Sequence, residues 1–456
     1  MWLQPRVQAG DLSSHLYNTW LVLLVKSGEP LGLEIVPQYS NVLFDWWLEG
    51  FWRLGGPVLA EKAGVSLAVM IFFWGSFALL RRLTGQSPWP SAPLLAMLAY
   101  GWVFHQGFFN YYLSCAFGFW GIVFLASQGR KRLLALPMLA LACLGHLLGA
   151  AVAAGLGLYL ALRQMLGERR RLALLMASLL GLALTGWLIG VNLPAKWNEA
   201  RMLQLTGVTP FLIDSLWYLL PVTPLLLLWL TGLVWKASVE RLAMLRVPAA
   251  DLAFLCAAAI ALMPTRLRWP GTEYPLYFID WRLGLWYVLC LHALLAGRLP
   301  ARFVGAVCAT AAGFYFCLLA LDNRSLSRIE QSFHEVVRRA PPRSRVVSGL
   351  TAVPEDLNPI NHMLDRACIG YCFSYANYES ATGQFRLRAK PGSTANLDSL
   401  AAVSSLHAGR YRIRAADVPI FAVSRRPGPG FALEIREIAV GETIRKEVLR
   451  LPLWPR

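Results

Sequence analysis

The chain has 456 residues, of which 56% are hydrophobic and 15% are charged. Soluble domains typically hold about 45–50% apolar and about 25% charged residues, so this composition excludes an ordinary soluble protein, a disordered chain and a disulfide-rich scaffold. The formal net charge of +17 would favour nucleic acid in a soluble protein, but basic residues also collect on the cytoplasmic side of membrane spans. We therefore expect a polytopic membrane protein with membrane lipids, and no nucleic acid, among its partners.

Two apolar stretches near the start of the chain, Leu12–Val25 and Val42–Leu54, are interrupted by polar residues. This pattern predicts two amphipathic helices lying at the membrane interface within an external segment of residues 1–57. Met1–Gly10 has no apolar core and does not resemble a signal peptide. A chain that starts outside would then lack an evident export route, so one interpretation is that a further N-terminal helix precedes this sequence.

About ten transmembrane helices are predicted in residues 58–321, because a span needs about 20 apolar residues. The apolar run from Leu133 to Leu162 is too long for one span, and Gly145-His146 at its middle predicts two short helices that meet in a turn. The remaining predicted spans are Val58–Leu80, Pro93–His105, Phe108–Ser127, Arg171–Val191, Phe211–Trp235, Leu252–Met263, Trp281–Ala296 and Phe303–Leu321.

Basic clusters predict the orientation of these spans. Five groups of Arg and Lys recur at alternate helix ends, and the hydropathy supplies two crossings between successive groups, so all five fit in the cytoplasm. Residues 1–57, 192–210 and 264–280 and the tail then lie on the opposite face. The groups are Arg81-Arg82, Arg130-Lys131-Arg132, Arg163 with Arg169-Arg170-Arg171, Lys236 with Arg241 and Arg246, and Arg298 with Arg302.

The tail, residues 322–456, is more polar than the rest of the chain. Ser325–Arg339 predicts a helix, and four segments predict short strands. We therefore expect an all-α membrane domain followed by a small, extracytoplasmic, mixed α/β domain. The predicted strands are Arg345–Val347, Tyr411–Arg414, Pro419–Val423 and Phe431–Ile438.

Two of the eight cysteines, Cys368 and Cys372, lie in this tail with three residues between them. In an oxidising compartment they can form a disulfide. With His362 they can form part of a metal site, although no fourth ligand is evident. Two neutral, packed thiols are the third interpretation.

Polar residues gather at the predicted outer ends of the helices. Asp11 and His15 are one helical turn apart, and Asp45 and Glu49 repeat that spacing. Ionisable groups at a membrane usually serve a function. A carboxylate can accept a proton from an incoming hydroxyl while arginines neutralise the phosphate of a lipid-linked donor. The other polar residues in these outer positions are His105, Asn110, His146, Lys196, Glu199, Arg201, Arg266, Arg268, Glu273, Asp280 and Arg282.

Structural interpretations of the same residues remain open. Asp11 can simply cap the helix that follows it, and His105 and His146 can bond to turn carbonyls at the interface. The arginines of the last loop can be solvated by headgroups. Glu49 and Arg53 are i,i+4 neighbours and can form a local ion pair.

Several short motifs together resemble the GT-C superfamily of integral membrane glycosyltransferases, which includes protein O-mannosyltransferases and lipid A aminoarabinose transferases. An acidic residue opens the external segment, two amphipathic segments follow, and many spans precede an extracytoplasmic domain. The motifs are Gly10-Asp11-Leu-Ser-Ser-His15-Leu-Tyr17-Asn18, Tyr39-Ser-Asn41-Val-Leu-Phe-Asp45, Gly107-Phe-Phe-Asn110-Tyr, Gly145-His146-Leu-Leu and Asp280-Trp-Arg282.

The resemblance implies a transferase of the bacterial inner membrane that moves a sugar from a polyprenyl-phosphate donor to a glycan, lipid or protein acceptor. It implies that Asp11 is the catalytic base or a metal ligand, with His15 beside it. The second acidic residue that many members carry after Asp11 is missing, so a divalent metal is only an option, and no metal ligands are assigned. The implied substrate-binding residues are Tyr17, Asn18, Asp45, His105, Asn110, His146, Arg201, Arg266, Arg268, Asp280 and Arg282.

Two other functions fit the same hydropathy. Secondary transporters carry polar groups in their spans, although no inverted repeat or matched pair of interrupted helices is evident here. O-antigen polymerases and ligases use lipid-linked saccharides and external arginines, but they usually place their large loop between late spans.

Overall fold

The computed structural model describes residues 2, 4–213, 216–352, 359–428 and 431–449. The α-helices are α1 (Leu12–Lys26), α2 (Leu43–Leu59), α3 (Val65–Thr84), α4 (Ala92–Ala99), α5 (Trp102–His105), α6 (Phe109–Leu125), α7 (Ala135–Gly145), α8 (Leu147–Leu166), α9 (Glu168–Asn192), α10 (Leu219–Val239), α11 (Pro248–Leu262), α12 (Ile279–Ala296), α13 (Ala301–Val337), α14 (Ile360–Cys368), α15 (Tyr378–Ala381) and α16 (Leu400–His407). The strands are β1 (Leu33–Ile35), β2 (Ala195–Lys196), β3 (Arg266–Leu267), β4 (Arg345–Ser348), β5 (Leu350–Ala352), β6 (Phe373–Ser374), β7 (Leu387–Ala389), β8 (Ile420–Arg425), β9 (Leu433–Glu437) and β10 (Glu447–Leu449).

The chain divides into two compact units. The mixed unit comprises Met1–Ser66, His105–Phe108 and Leu319–Arg456, and the helical unit comprises Leu67–Phe104 and Phe109–Leu318. The first and last segments, predicted as separate regions, belong to one unit.

Apolar helices indicate a membrane protein. In the part of the chain that the structure describes, six are long and apolar enough to cross a membrane, and two shorter apolar helices are Phe109–Leu125 and Pro248–Leu262. Helix α9 leaves large apolar side chains exposed, among them Leu180 (71%) and Trp187 (61%), as expected of a surface that faces lipid. The six helices are Leu43–Thr84, Leu147–Leu166, Glu168–Asn192, Leu219–Val239, Ile279–Ala296 and Ala301–Val337.

The predicted division of Leu133–Leu162 into two helices is confirmed. Helix α7 ends at Gly145 and α8 begins at Leu147, because His146 adopts an extended backbone conformation between them. A side chain at Gly145 would place its Cβ 2.8 Å from the backbone oxygen of Asn110. Glycine is therefore required where this turn meets α6.

The predicted span Pro93–His105 is wrong as a single helix. Helix α4 ends at Ala99 and α5 begins only at Trp102. At the break, a Cβ on Gly101 would lie 2.5 Å from the backbone oxygen of Pro210, so a close backbone contact occupies the position where a continuous helix would carry a side chain.

Two pairs of predicted helices are continuous. Val42–Leu54 and Val58–Leu80 lie in one helical stretch, Leu43–Thr84, which contains a π-helix at Ala60–Gly64. Its backbone departs from helical angles at Gly55 and Gly56. The predicted span Phe303–Leu321 and the predicted tail helix Ser325–Arg339 together form α13.

A four-stranded sheet organises the tail of the mixed unit, in the order β6-β4-β8-β9. Strand β4 is parallel to β6 and to β8, while β9 is antiparallel to β8. Val346 and Val347 point to opposite faces and enter separate apolar cores, as the two-residue period of a strand requires. The predicted strand Tyr411–Arg414 is wrong, since its only ladder contact within the described residues is an isolated bridge from Arg412 to Thr443.

The beginning of the chain is part of this same core. Strand β1 pairs with β7, with Leu33 opposite Ala389, and Tyr17 of α1 packs with Phe333 of α13 and Met363 of α14. The prediction that α1 lies at an interface on one apolar face is wrong, because every residue from Leu12 to Thr19 is buried.

Candidate functional site

Asp11 is fixed by its backbone. Its N–H donates to the carbonyl of Gln106 (3.1 Å), and the N–H of Gly10 donates to the carbonyl of His105 (2.7 Å). Gly107 has φ +78°, and a Cβ there would lie 2.1 Å from the nitrogen of Asp11. Two backbone segments therefore approach as closely as glycine permits.

The carboxylate of Asp11 does not cap α1. It lies directly before the helix yet makes no side-chain capping hydrogen bond. Instead, Nε2 of His362 lies 3.3 Å from its Oδ1, and the hydroxyl of Tyr378 donates to its Oδ2 (3.4 Å). The absence of a capping bond removes the capping interpretation, and the side chain is 22% exposed.

His362 connects Asp11 to a second, buried carboxylate. Its Nδ1 lies 2.9 Å from Oδ2 of Asp365. Asp365 also accepts hydrogen bonds from Oγ of Ser374 (2.5 Å) and from Nδ2 of Asn377 (3.1 Å). The result is an Asp–His–Asp chain with one accessible end and one end, Asp365, that is 4% exposed.

The charges in this chain follow from its contacts. Burial alone would lower the pKa of His362, but its bonds and charge interactions with Asp11 and Asp365 outweigh burial and raise it to about 10. Burial alone would raise the pKa of Asp11, but His362, with smaller contributions from His15 and Tyr378, lowers it. Near neutral pH the pair is therefore an imidazolium beside an ionised carboxylate.

A second histidine is held among acids on α1. Nδ1 of His15 lies 3.2 Å from Oδ1 of Asp45 and 4.0 Å from Oε1 of Glu379. Burial alone would lower the pKa of His15, but Glu379 and Asp45 outweigh it and raise the pKa to about 9. Burial, opposed in part by His15, raises the pKa of Glu379 to about 7.

These two groups are connected through amide and hydroxyl side chains. Asn377 donates both to Asp365 and to Oγ of Ser14 (2.9 Å), and Ser14 donates to Glu379 (2.8 Å). We call the set of four carboxyls and two imidazoles the carboxylate–imidazole cluster. Its members are Asp11, His15, Asp45, His362, Asp365 and Glu379.

An arginine one residue beyond Asp365 anchors the segment before Asp11. The guanidinium of Arg366 lies 2.6 Å from Glu330 and 3.2 Å from Glu61, and its Nη2 donates to the carbonyl of Val7 (3.0 Å). Gln8 also donates to Glu330 (2.6 Å). Helix α14 thus binds the segment leading to Asp11 with one residue and the carboxylate of Asp11 with another.

The donor set does not suit the optional metal. Among the described residues, no group of three or more His, Cys, Asp or Glu side chains has the geometry to hold a metal ion. The partners of Asp11 are a protonated imidazole and a phenol, which do not ligate a cation in those forms. Both ring nitrogens of His362 face carboxylates, so the predicted partial site with Cys368 and Cys372 does not form.

The other predicted residues of the mixed unit have structural contacts. The hydroxyl of Tyr17 accepts a hydrogen bond from the backbone of Ser374 (2.9 Å), and its ring is fully buried. Asn18 donates to Ser14 (3.2 Å). His105 contributes its backbone carbonyl to the contact with Gly10 and is itself buried.

In the helical unit, His146 is a capping residue. Its Nδ1 accepts a hydrogen bond from the N–H of Leu148 at the start of α8 (3.1 Å). Its Nε2 lies 3.1 Å from Nη1 of Arg282, and the guanidinium of Arg282 lies over the ring of Tyr111, 5.2 Å from its centroid. His146 and Arg282, which were predicted separately as substrate-binding residues, are thus in close contact, while Asn110 meets the same turn through its backbone.

The two predicted external loops of the helical unit come together. Strand β2 pairs with β3, with Lys196 opposite Arg266. Arg201 donates to the carbonyls of Ala261 and Asn198. The other predicted residues of these loops are Arg266, which lies over the ring of Tyr277, Arg268, which is exposed, and Asp280, which is buried at the start of α12.

Several residues of the carboxylate–imidazole cluster and its surroundings were not predicted from the sequence. His362 was considered only as a metal ligand, and Asp365, Tyr378 and Glu379 were not considered. The i,i+3 spacing of His362 and Asp365 on a helix is a usable signal. Glu379 carries no such signal, because only the fold brings it to His15.

The predicted acid and arginines lie in different units, so their shared cavity stays a prediction. Comparison of the sequence with protein-family models and with curated proteins, and of the structure with solved structures, found no match. The resemblance to the GT-C superfamily therefore rests on the motifs of the sequence.

Proposed function

We propose that this protein is a membrane glycosyltransferase that moves a sugar from a polyprenyl-phosphate carrier to an acceptor, with Asp11 as the catalytic base. One observation carries the proposal. The carboxylate of Asp11, at the head of α1, is partly exposed, makes no capping bond and is held by the Asp–His–Asp chain. A carboxylate fixed in this way, with a lowered pKa, stays ionised and ready to accept a proton at neutral pH.

In the proposed reaction, the acceptor oxygen forms a bond to the anomeric carbon of the sugar. The bond from that carbon to the phosphate oxygen breaks, and the carrier phosphate leaves with the electron pair. The acceptor proton passes to Asp11. A carboxylate of low pKa suits a proton that becomes acidic only as the carbon–oxygen bond forms, because proton transfer is then late. Inversion at the anomeric carbon follows from a single displacement.

The proposal assigns the carrier phosphate to the arginines of the helical unit. Arginine forks match phosphate oxygens bidentately, and positive charge stabilises a phosphate as it leaves. Arg201 uses its guanidinium on backbone carbonyls, whereas Arg268 is exposed and Arg266 presents its charge over an aromatic ring. Arg266 and Arg268 are therefore better candidates than Arg201.

We also propose in which membrane the protein lies and on which side its tail is exposed. The protein would lie in a bacterial inner membrane, with Asp11 and the tail outside the cytoplasm, as the basic clusters predict. A membrane-impermeant maleimide tests this with one cysteine introduced at exposed Asp398 in whole cells, with cells opened by detergent as the reference. Labelling in whole cells supports the location, and labelling only after opening contradicts it.

The catalytic role is tested by Asp11→Asn, with Asp398→Asn in the same unit as a matched exposed control. Membranes holding each variant are incubated with polyprenyl-phosphate mannose and with polyprenyl-phosphate aminoarabinose, and release of the free polyprenyl phosphate is measured. Asp11→Asn is expected to lower the rate by about 10²–10⁴-fold, and Asp398→Asn to leave it unchanged. Wild-type turnover by a folded Asp11→Asn protein would show that Asp11 is not the base.

A secondary transporter is the second candidate, and one observation favours it. Asp45, in contact with His15, lies in the candidate span Leu43–Thr84, and chains of acids and histidines in spans are typical of proton-coupled transport. Proton uptake into proteoliposomes, driven by an imposed pH gradient and measured with a trapped dye, separates the functions. Uptake that Asp45→Asn abolishes, without donor-dependent transfer, would favour transport.

A further inference from the structure

Cys368 and Cys372 face each other across one turn of backbone. Cys368 is the last residue of α14, and the chain turns through Gly370 at φ +72° before β6 begins at Phe373. The N–H of Cys372 donates to the carbonyl of Cys368 (3.0 Å). This bond places the two side chains on the same side of the turn, and their sulfur atoms lie 2.7 Å apart.

The surroundings of the two sulfurs are apolar and closed. Both cysteines are 0% exposed, and they share a core with Tyr17, Met363 and Phe373. The imidazole of His362 is bonded to carboxylates on both ring nitrogens. The choice is therefore between two packed thiols and a disulfide.

We propose that Cys368 and Cys372 form a disulfide in the folded protein. A disulfide requires sulfurs about 2.05 Å apart on side chains that approach from one side, and this turn needs only a small inward movement to provide it. The bond would close a five-residue loop and join the end of α14 directly to β6. Both elements help to hold the carboxylate of Asp365, α14 because it carries Asp365 and β6 because Ser374 donates to it.

The oxidation balances with a protein disulfide as the oxidant. A thiolate of one cysteine attacks the disulfide of a thiol oxidoreductase, and the second cysteine then displaces that protein as its thiolate. The two cysteines lose two electrons and two protons, and the oxidoreductase becomes a dithiol. Because both sulfurs are fully buried in the folded unit, the exchange takes place before the core closes around them. The proposal does not depend on the glycosyltransferase activity.

Digestion with trypsin allows the oxidation state of Cys368 and Cys372 to be measured in a single peptide. Cleavage after Arg366 and after Arg386 releases one peptide, residues 367–386, that contains both cysteines and no other cleavage site. The full-length protein is unfolded in denaturant with N-ethylmaleimide present from the moment of cell lysis, digested, and analysed by mass spectrometry with and without prior reduction.

The disulfide predicts that most of this peptide is two hydrogen masses lighter than the dithiol, carries no maleimide, and takes up two maleimides after reduction. Cys308 of α13, which serves as the internal control, should be labelled without reduction. In Cys368→Ser, the remaining Cys372 should take up one maleimide with or without reduction. If most of the wild-type peptide carries two maleimides before reduction, the cysteines are packed thiols and the proposal is overturned.

Discussion

The mixed unit and the helical unit each bury a group of charged side chains, but the two groups are balanced differently. In the helical unit, Asp251 is fully buried between Arg163 and Arg171. Nη1 of Arg163 lies 2.8 Å from its Oδ2, and Nε of Arg171 lies 3.0 Å from both of its oxygens. Glu168 is the second acid beside Arg163 (2.7 Å). We call these four residues the Arg–Asp cluster.

The carboxylate–imidazole cluster has the opposite balance. Four carboxyls share two imidazoles, and three of its members have pKa values displaced toward or across the neutral range, with Glu379 at about 7, His15 at about 9 and His362 at about 10. Arginine stays protonated at any physiological pH, so the Arg–Asp cluster is a fixed arrangement of matched charges. Perturbed pKa values cluster at functional sites. We therefore expect the Arg–Asp cluster to contribute stability, and the proposed chemistry is placed in the carboxylate–imidazole cluster.

The largest expected effect is on the stability of the Arg–Asp cluster. Asp251→Asn leaves the guanidinium of Arg171 and the buried guanidinium of Arg163 without the Asp251 carboxylate, and breaking a buried pair in this way costs about 3–5 kcal/mol. Denaturant unfolding in detergent, followed by tryptophan fluorescence, measures the change. Glu168→Gln is the control, because Glu168 is 65% exposed and its loss should cost less than about 1 kcal/mol. If Asp251→Asn were as stable as the wild type, the Arg–Asp cluster would not have the stabilising role that the comparison gives it.

The next effect concerns His362, which acts through Asp11. His362→Gln removes the positive charge that lowers the pKa of Asp11, so that pKa rises. The acidic limb of the pH–rate profile for sugar transfer should move to higher pH, so the rate loss should be largest at low pH and should shrink above the raised pKa. Asp398→Asn, at an exposed residue of the same unit, should leave the profile in place. A rate loss without a shifted limb would show that His362 supports the fold and does not tune Asp11.

The smallest effect is on the pH dependence of stability. The pKa of Glu379 rises from 4.5 to about 7 on folding, and that of His15 rises from 6.5 to about 9. Both groups bind more protons in the folded state, so their contributions to stability are present at low pH and are lost as pH rises through those intervals. The melting temperature of the wild type, relative to a variant of either group, should therefore fall as pH rises through the interval of that group.

Glu379→Gln isolates the lower interval. The melting temperature of the wild type relative to this variant should fall between pH 5 and pH 7, whereas its difference from Asp398→Asn should stay constant. A wild-type melting temperature that rises relative to Glu379→Gln through this range would contradict the raised pKa of Glu379.

The sequence predicted much of the helical unit because lipid imposes a length and a polarity on each helix. The paired helices on either side of His146 and the apolar helices α9, α10 and α12 follow from hydropathy alone. The break at Gly101 does not, because it depends on the backbone of Pro210, which lies far away in the chain. Hydropathy also cannot show that a span continues into the tail, as α13 does.

Only the residues of the candidate site that come from the N-terminal segment were predicted. Asp11, His15 and Asp45 are unusual in an apolar segment, and the sequence shows this directly. Their partners His362 and Glu379 lie more than three hundred residues later, in a polar tail where histidine and glutamate are not unusual. Only the pairing of β1 with β7 and the burial of α1 in the core of the tail bring the two sets together.

That joining of the two ends has a consequence for biosynthesis. When the ribosome has finished α13, Asp11 and His15 already exist, but neither has met its partners from α14 and α15. The carboxylate–imidazole cluster must therefore remain incomplete until the last hundred residues are released. A message truncated before α14 would yield a chain without His362, Asp365 and Glu379, and supplying the missing tail as a separate polypeptide would test whether the two ends can join after synthesis.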